Sequence, residues 1–384
     1  AITVVLASSA AFVALSFRSL ENIDLGFDPA NVLTAEVSLR GPSYGTAGQR
    51  REWQRQLIER LENHPEIAAV GMDLIRPLEG RIGWDVPYQA DGQSVQDVLS
   101  NPVPNFEIIT PHYFRAMGIK IVAGREFSEL DKSDGLPVVI ISRSAARQFF
   151  GDENAVGKRI KLGGFQADSP WLKVVGVVAD VRYRALDDPR LDVYVPYTQR
   201  NFPVRYIMIR MNSALGTPAD ATTILRQEVA ALDSAQAVNA VTTSEAMVQR
   251  ALARPRFAMI VIGAFAVIAG FLAMIGIYGI VSYNVSERTQ EIGIRMALGA
   301  PSGRVLGMIS AGSLGLTVAG IGAGVLGAVI AARLMSGLLY GVHSTDPIVL
   351  GAISMLMLIV SQAAAYFPAR RAAKIDPAVA LRAD

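Results

Sequence analysis

Few residues in this chain are arranged for chemistry. The three histidines, His64, His112 and His343, lie far apart in sequence and lack metal-ligand spacing. No serine sits in a Gly-x-Ser-x-Gly elbow. There is no cysteine, which removes disulfides, thiolate metal sites and thiol nucleophiles. Residues Gly151 to Arg159 approach a phosphate-binding loop, in which four residues separate two glycines and Lys-Ser/Thr follows. Here five residues separate Gly151 from Gly157, and Arg159 stands where the magnesium-binding hydroxyl belongs. The segment also follows an expected helix rather than a strand, so it reads as a turn. Acidic residues are many but fall into no pattern and read as solvated surface. No cofactor is expected, and no catalytic activity.

The elements that would have to position a site explain this poverty. The chain has 384 residues, 51% hydrophobic and only 18% charged, against about 25% charged in soluble proteins. The deficit gathers in four stretches. Segments 257–286, 305–332 and 348–367 carry no charge, and a membrane crossing needs roughly 20 apolar residues. A shorter apolar run, 1–17, has no basic region before it and no small-residue cleavage site before Arg18, so it reads as a membrane helix clipped at its start. Arg288, Arg295 and Arg304 follow the second span, and Arg370, Arg371, Lys374 and Arg382 follow the fourth. The 333–347 connection holds only Arg333. Basic loops stay inside, which places 287–304 and the C-terminus in the cytoplasm and 18–256 outside, with Tyr283 and Tyr366 at the inner interface. Asp, Glu, Lys and Arg are absent from the three long spans, which disfavours an ion-coupled transporter. Gly320 and Gly324 form a small-xxx-small pair that lets helix backbones approach, either within the bundle or toward a second subunit. A net charge of +2 gives no reason to expect nucleic acid.

Region 18–256 reads as an α+β domain. Leu33, Ala35, Val37 and Leu39 alternate with polar residues at strand period. Trp53, Leu57 and Leu61 mark an amphipathic helix. Strands are expected at 67–74, 138–141, 174–178 and 206–211, and a helix at 218–232. Thr110 before Pro111, Ser142 and Ser244 are the expected helix caps. The order β-α-β, repeated, suggests two lobes, with 76–104 as an inserted subdomain.

One segment is specific. Residues 286–300 read Ser-Glu-Arg-Thr-Gln-Glu-Ile-Gly-Ile-Arg-Met-Ala-Leu-Gly-Ala, with Glu291 one helical turn before Arg295 and Gly299 suited to end the helix before Pro301. Ile292, Met296 and Leu298 supply an apolar side. Such a helix either lies in the membrane interface or docks into a cytoplasmic partner. The segment closely resembles the Glu-Ile-Gly-Ile-Arg-x-Ala-Leu-Gly-Ala signature of FtsX-like, MacB-type ABC transporter permeases. The tail from Pro368 to Arg382, with Arg370, Arg371, Asp376 and Pro377, resembles that family's C-terminal signature. Tyr113 to Gly118, Gly151 to Lys158 and Val174 to Val181 resemble its periplasmic core domain.

The resemblance implies a permease subunit in the bacterial inner membrane that couples ATP hydrolysis by a separate or fused ABC ATPase to movement of a periplasmic domain. It implies partners: the ATPase, a second permease unit (a homodimer or a tandem half), membrane lipid, and a periplasmic or outer-membrane component. Within it, Glu291, Ile292, Gly293, Arg295, Met296 and Gly299 form an ATPase-coupling helix, 287–300. The expected organisation is transmembrane helix 1–17, extracytoplasmic domain 18–256 and permease domain 257–384, the last contributing three helices to an all-α bundle of four. The leading alanine and short first span also match the second half of a tandem-duplicated permease. A membrane receptor, its outer domain binding a ligand and the cytoplasmic loop relaying it, is the rival reading. Receptors of that kind continue into a kinase or long coiled coil, and the 17 residues after the fourth span count against one.

Overall fold

A computed structural model describes residues 1–80, 83–151, 154–164, 167–188, 190–200, 202, 205–287, 294, 302–334, 340–341 and 346–372. The chain divides into two compact units, Ile23–Ala251 and, together, Ala1–Asn22 with Leu252–Asp384.

The first unit is built on one mixed sheet. In chain order its elements are β1 (Val32–Val37), α2 (Ala47–Glu62), β2 (Ile67–Asp73), β3 (Tyr88–Ala90), α3 (Val95–Ser100), β4 (Asn105–Ile109), α4 (Tyr113–Met117), β5 (Ile121–Gly124), β6 (Val138–Ser142), α5 (Arg143–Phe150), β7 (Arg159–Leu162), β8 (Trp171–Val178), β9 (Asp192–Pro196), β10 (Tyr206–Met211), α6 (Pro218–Leu232) and β11 (Val238–Thr243), with α1 (Ile2–Glu21) preceding them in the other unit. The spatial order is β11-β1-β10-β2-β4-β9-β6-β8-β7-β3, with β5 paired to β8. The strands β1, β2, β10 and β11, with α2 and α6, form a split β-α-β arrangement in which every neighbour is antiparallel. Everything from 74 to 205 is inserted between its second and third strands and prolongs the same sheet.

That insertion corrects the expectation of a subdomain at 76–104. β3 within it pairs with β7, so the Gly- and Pro-rich stretch forms an edge of the common sheet. α2 begins at a capping box, Thr46 with Gln49, and α6 at another, Thr217 with Asp220, behind Pro218. Trp53, Leu57 and Leu61 of α2 and Ala221, Leu225 and Val229 of α6 pack on one sheet face with Ala145, Ala146 and Phe149 of α5. α4 covers part of the other face, where Tyr113, Phe114 and Met117 join Met208, Ile140 and Tyr194. A Cβ on Gly71 would stand 2.5 Å from Tyr113 Cα, so only glycine lets α4 sit this close to β2.

Two expected caps belong to other residues. Thr110 does not cap α4, whose N-cap is His112 in a left-handed conformation (φ 63). Its hydroxyl accepts the Met72 N–H at 2.7 Å instead, because Thr110 lies buried beside β2. Thr243, not Ser244, accepts the Ala246 N–H at the start of the next helix. Ser142 does cap α5, accepting from the Ala145 N–H at 3.3 Å.

The remaining helices are α7 (Ser244–Glu287), α8 (Ser302–Leu334) and α9 (Pro347–Ala372). With α1 they supply four candidate membrane spans, Ile2–Glu21, Ser244–Glu287, Leu314–Leu334 and Pro347–Pro368. α7, at 44 residues, is about twice as long as a crossing needs, so part of it lies beyond the apolar layer. Its apolar side chains, among them Phe265, Phe271, Leu272 and Ile275, are exposed all round. A helix apolar on every side is at home in lipid. α1, α8 and α9 pack on one another.

Candidate functional site

The residues that the sequence singles out for coupling, Glu291, Ile292, Gly293, Arg295, Met296 and Gly299, lie outside the described residues, as do Asp376 and Pro377 of the tail. Their flanks are described. α7 runs to Glu287, whose carboxylate accepts from the Tyr283 hydroxyl at 2.8 Å, one turn back. α9 continues beyond its apolar run and carries Arg370 and Arg371 in its last turn, where cations complement the helix dipole. Arg371 donates to the Tyr278 hydroxyl of α7 at 3.2 Å. This bond ties the last turn of α9 to α7 nine residues before α7 ends.

Gly320 and Gly324 line the face of α8 turned to α1. A Cβ on Gly324 would come 2.6 Å from Val4 Cβ and 2.9 Å from the Ala1 carbonyl oxygen. At Gly327 it would meet Val5 Cγ2 at 2.9 Å, and at Gly320 only the Ala1 nitrogen at 3.8 Å. Small residues here let α1 and α8 touch backbone to backbone, the way helices associate where lipid offers no hydrophobic drive. Ser16 of α1 also accepts the Tyr340 N–H at 2.8 Å.

The Gly151 to Arg159 segment offers no cradle for phosphate among its described residues. The Gly157 N–H donates to the Val174 carbonyl at 2.8 Å, and Lys158 accepts from the Val174 N–H at the same distance. Arg159 bonds Asp91. Backbone groups that would face a phosphate are used in the sheet.

Sequence reasoning missed one polar constellation. Asp73 ends β2, Glu107 sits mid-β4 and Asp192 starts β9, and all three are fully buried. Asp73 lies opposite Ile109, so Glu107, two residues along β4, is its diagonal neighbour on the same face, and each carboxyl shifts the titration of the other. The Tyr183 hydroxyl donates to Asp73 Oδ2 at 2.9 Å, and the hydroxyls of Tyr113 and Tyr183 bond each other. Asn105 reaches Glu107 Oε1 at 3.1 Å and Asp192 Oδ1 at 3.3 Å. Burial pushes the Asp73 carboxyl up to about 6, against hydrogen bonds that lower it. Burial, then the charge of Asp73, holds Glu107 well above the carboxylate range, and burial does the same for Asp192. No group of acidic or histidine side chains placed to hold a metal ion occurs among the described residues. The signal for this cluster was in the sequence: Asn105 and Glu107 alternate with Phe106 and Ile108, and Asp192 and Tyr194 with Val193 and Val195. Sequence analysis places no strand here and reads acidic residues as solvated surface, but both faces of these strands are covered.

Residues 1–242 match the family of MacB-like periplasmic core domains, and residues 263–377 match the FtsX-like permease C-terminal family. Among curated relatives, the macrolide export ATP-binding/permease protein MacB of Acinetobacter baylyi is 28% identical over 371 residues, 85% of this chain and 53% of its own length. The pyoverdine export ATP-binding/permease protein PvdT of Pseudomonas entomophila is 30% identical over 283 residues, 69% of this chain and 40% of its own. The chain spans about half the length of the curated relatives it matches. Among solved structures, the periplasmic region of MacB from Actinobacillus actinomycetemcomitans aligns over 59% of this chain and 94% of that one, at 19% identity and a TM-score of 0.39.

Proposed function

Because the chain belongs to the family of membrane permeases that join a MacB-like periplasmic core domain to an FtsX-like C-terminal domain, we propose that it transmits ATP-driven motion from a cytoplasmic ABC ATPase to an outer domain of an exporter in the bacterial inner membrane. The observation that carries this reading is the joint match of both modules over residues 1–242 and 263–377. The relatives' names, ATP-binding/permease proteins for macrolide or pyoverdine export, support an export role and an ATPase partner. Three further features support motion passing through the bundle rather than substrate. Acidic and basic residues are absent from the apolar runs 257–286, 305–332 and 348–367. α7 leaves the outer domain and runs to the coupling segment as one helix. The sequence of 287–300 sets Ile292, Met296 and Leu298 among Glu287, Arg288, Glu291 and Arg295.

In this reading the outer domain is 18–256 and the permease domain 257–384, with helix 287–300 seated on the ATPase. Ile292 and Met296 enter a groove, and Glu291 and Arg295 fix the angle at its rim. Gly293 and Gly299 allow close approach and termination. Arg370, Arg371, Asp376 and Pro377 close the same cytoplasmic surface, and a second permease unit, as a homodimer or a tandem half, completes a pair of docking helices.

The test is Met296→Asp in the full chain, reconstituted with its ATPase. A truncated buried anchor costs about 2 kcal/mol or more, so ATPase binding or stimulation falls while membrane insertion and the outer fold persist. Arg304→Ala, outside the motif, changes little. Full coupling in Met296→Asp would make the helix a passive interfacial segment.

A further inference from the structure

Along the sheet, each neighbouring pair of strands is joined by two or more residue pairs at every boundary but one. β2 and β4 meet only where Asp73 lies opposite Ile109. The Leu74 N–H donates to the Ile108 carbonyl at 3.1 Å, the Thr110 N–H to the Met72 carbonyl at 3.0 Å, and Thr110 Oγ1 accepts the Met72 N–H. This short join connects the split β-α-β half to the inserted half. Asp73 and Glu107, one acid from each strand, lie buried as diagonal neighbours across it.

Two carboxylates cannot touch while both are ionised in a site without a counter-charge. Glu107 Oε2 meets no N–H or O–H donor among the described residues, which a proton between the two acids supplies. We propose that the Asp73–Glu107 pair is a proton-operated clasp, whose shared proton holds β2 to β4 and whose loss opens the join between the two halves of the sheet.

The groups around the pair leave the proton as its main support. From α4 and the loop after β8 come the hydroxyls of Tyr113 and Tyr183, both held far above their ordinary range by burial and so neutral donors. β9 contributes Tyr194 and Asp192, and Asp180 adds negative charge near Asp192. The Arg184 guanidinium is committed to Asp85 and to Asn105 Oδ1. On β10, Tyr206 lies opposite Asp73, its ring under Arg76 and Arg205. No ion pair from Lys or Arg to Asp73 or Glu107 occurs among the described residues. Because the closed join binds the proton more tightly than water-exposed carboxyls do, closure is complete below pH ~4 and weakens as pH rises through about 6, the value to which Asp73 is pushed, and beyond it for Glu107.

The clasp lies within the Ile23–Ala251 unit and does not depend on the coupling reading. Hydrogen exchange of the full chain in lipid nanodiscs tests it, at pH 5.5 and 8.5 with exchange times scaled for the intrinsic rate. In the wild type, peptides covering 70–76 and 106–112 lose protection at the higher pH by about tenfold or more, one pKa unit being tenfold in an equilibrium. Peptides from β1 and β6 do not. Glu107→Gln, whose amide donates to Asp73 without a proton to lose, keeps the join protected at both pH values, and Asp73→Asn does so from the other side. Equal wild-type protection at both pH values overturns the proposal. So does a pH dependence that persists in either folded variant.

Discussion

Gly324→Ala should loosen the leading helix, although Gly→Ala in a helix interior ordinarily stabilises by up to about 1 kcal/mol. The new Cβ would stand 2.6 Å from Val4 Cβ and 2.9 Å from the Ala1 carbonyl oxygen, and neither is the free end of a flexible side chain. Overpacking of this kind costs about 1–3 kcal/mol. Set against the propensity gain, the net loss is about 0–2 kcal/mol, a factor of up to about 30 in the population with α1 detached. Gly320→Ala is the matched control, because its Cβ meets only the Ala1 nitrogen at 3.8 Å, an ordinary contact. The chain has no cysteine, so a single Ser8→Cys, at a fully buried position of α1, reports opening without background. Thiol modification of that cysteine should run faster in Gly324→Ala, by up to about 30-fold, and no faster than in the parent in Gly320→Ala. Val4→Gly, which removes the opposing Cβ, should recover part of the loss, whereas Val4→Ala, which keeps it, should not. Equal rates for the two glycine variants would refute the close-contact argument.

The three tryptophans, Trp53, Trp84 and Trp171, all lie in the Ile23–Ala251 unit, so their fluorescence follows its unfolding in the intact chain. By that signal Gly71→Ala should cost about 1–3 kcal/mol, because the added Cβ would strike the backbone of Tyr113. The same signal should show the unit's melting temperature falling as pH rises from about 4 through 6 and above. Asp73 and Glu107 are both raised by burial, and stability from a raised group is full below its unfolded value and lost through the folded one. A melting temperature flat across that window would contradict the burial argument. Cysteines placed singly at Ser128 and Ser302 should react oppositely with an impermeant reagent, Ser128 from outside and Ser302 only after permeabilisation. Labelling of Ser302 alone from outside would invert the topology.

How much of this could be read from sequence depended on whether a segment's neighbours were implied by its own pattern. The spans were legible because lipid demands an unbroken apolar run, whatever the helix later touches. α2 and α6 were legible because each pairs one apolar stripe with a polar back, and β1, β2 and β10 because local periodicity sufficed. β4 and β9 were not. Their alternation of Asn105, Glu107, Asp192 and Tyr194 with apolar residues looks like a half-exposed strand, and only the roof formed by α4 and the Tyr183 loop makes the polar side an interior. Thr110 was misassigned for a similar reason. Its hydroxyl has a local partner in any helix start, but the fold offers the Met72 N–H, 38 residues away, first. The glycine pair of the third span was visible, and which helix it would meet was not. Nothing local to Gly324 points to a valine some 320 residues earlier.

That distance in sequence sets a timetable for biosynthesis. Val4 is made before Gly324, with more than 300 residues between them. At about 5–20 residues per second, α1 waits on the order of 15–60 s without its native neighbour. During that interval the segment that becomes the mixed sheet is made and can fold, while α1 still lacks its contact with α8. α8 and α9 therefore close on a helix made long before them, and any helper that shields the glycine-facing side of α1 has its opportunity in that window.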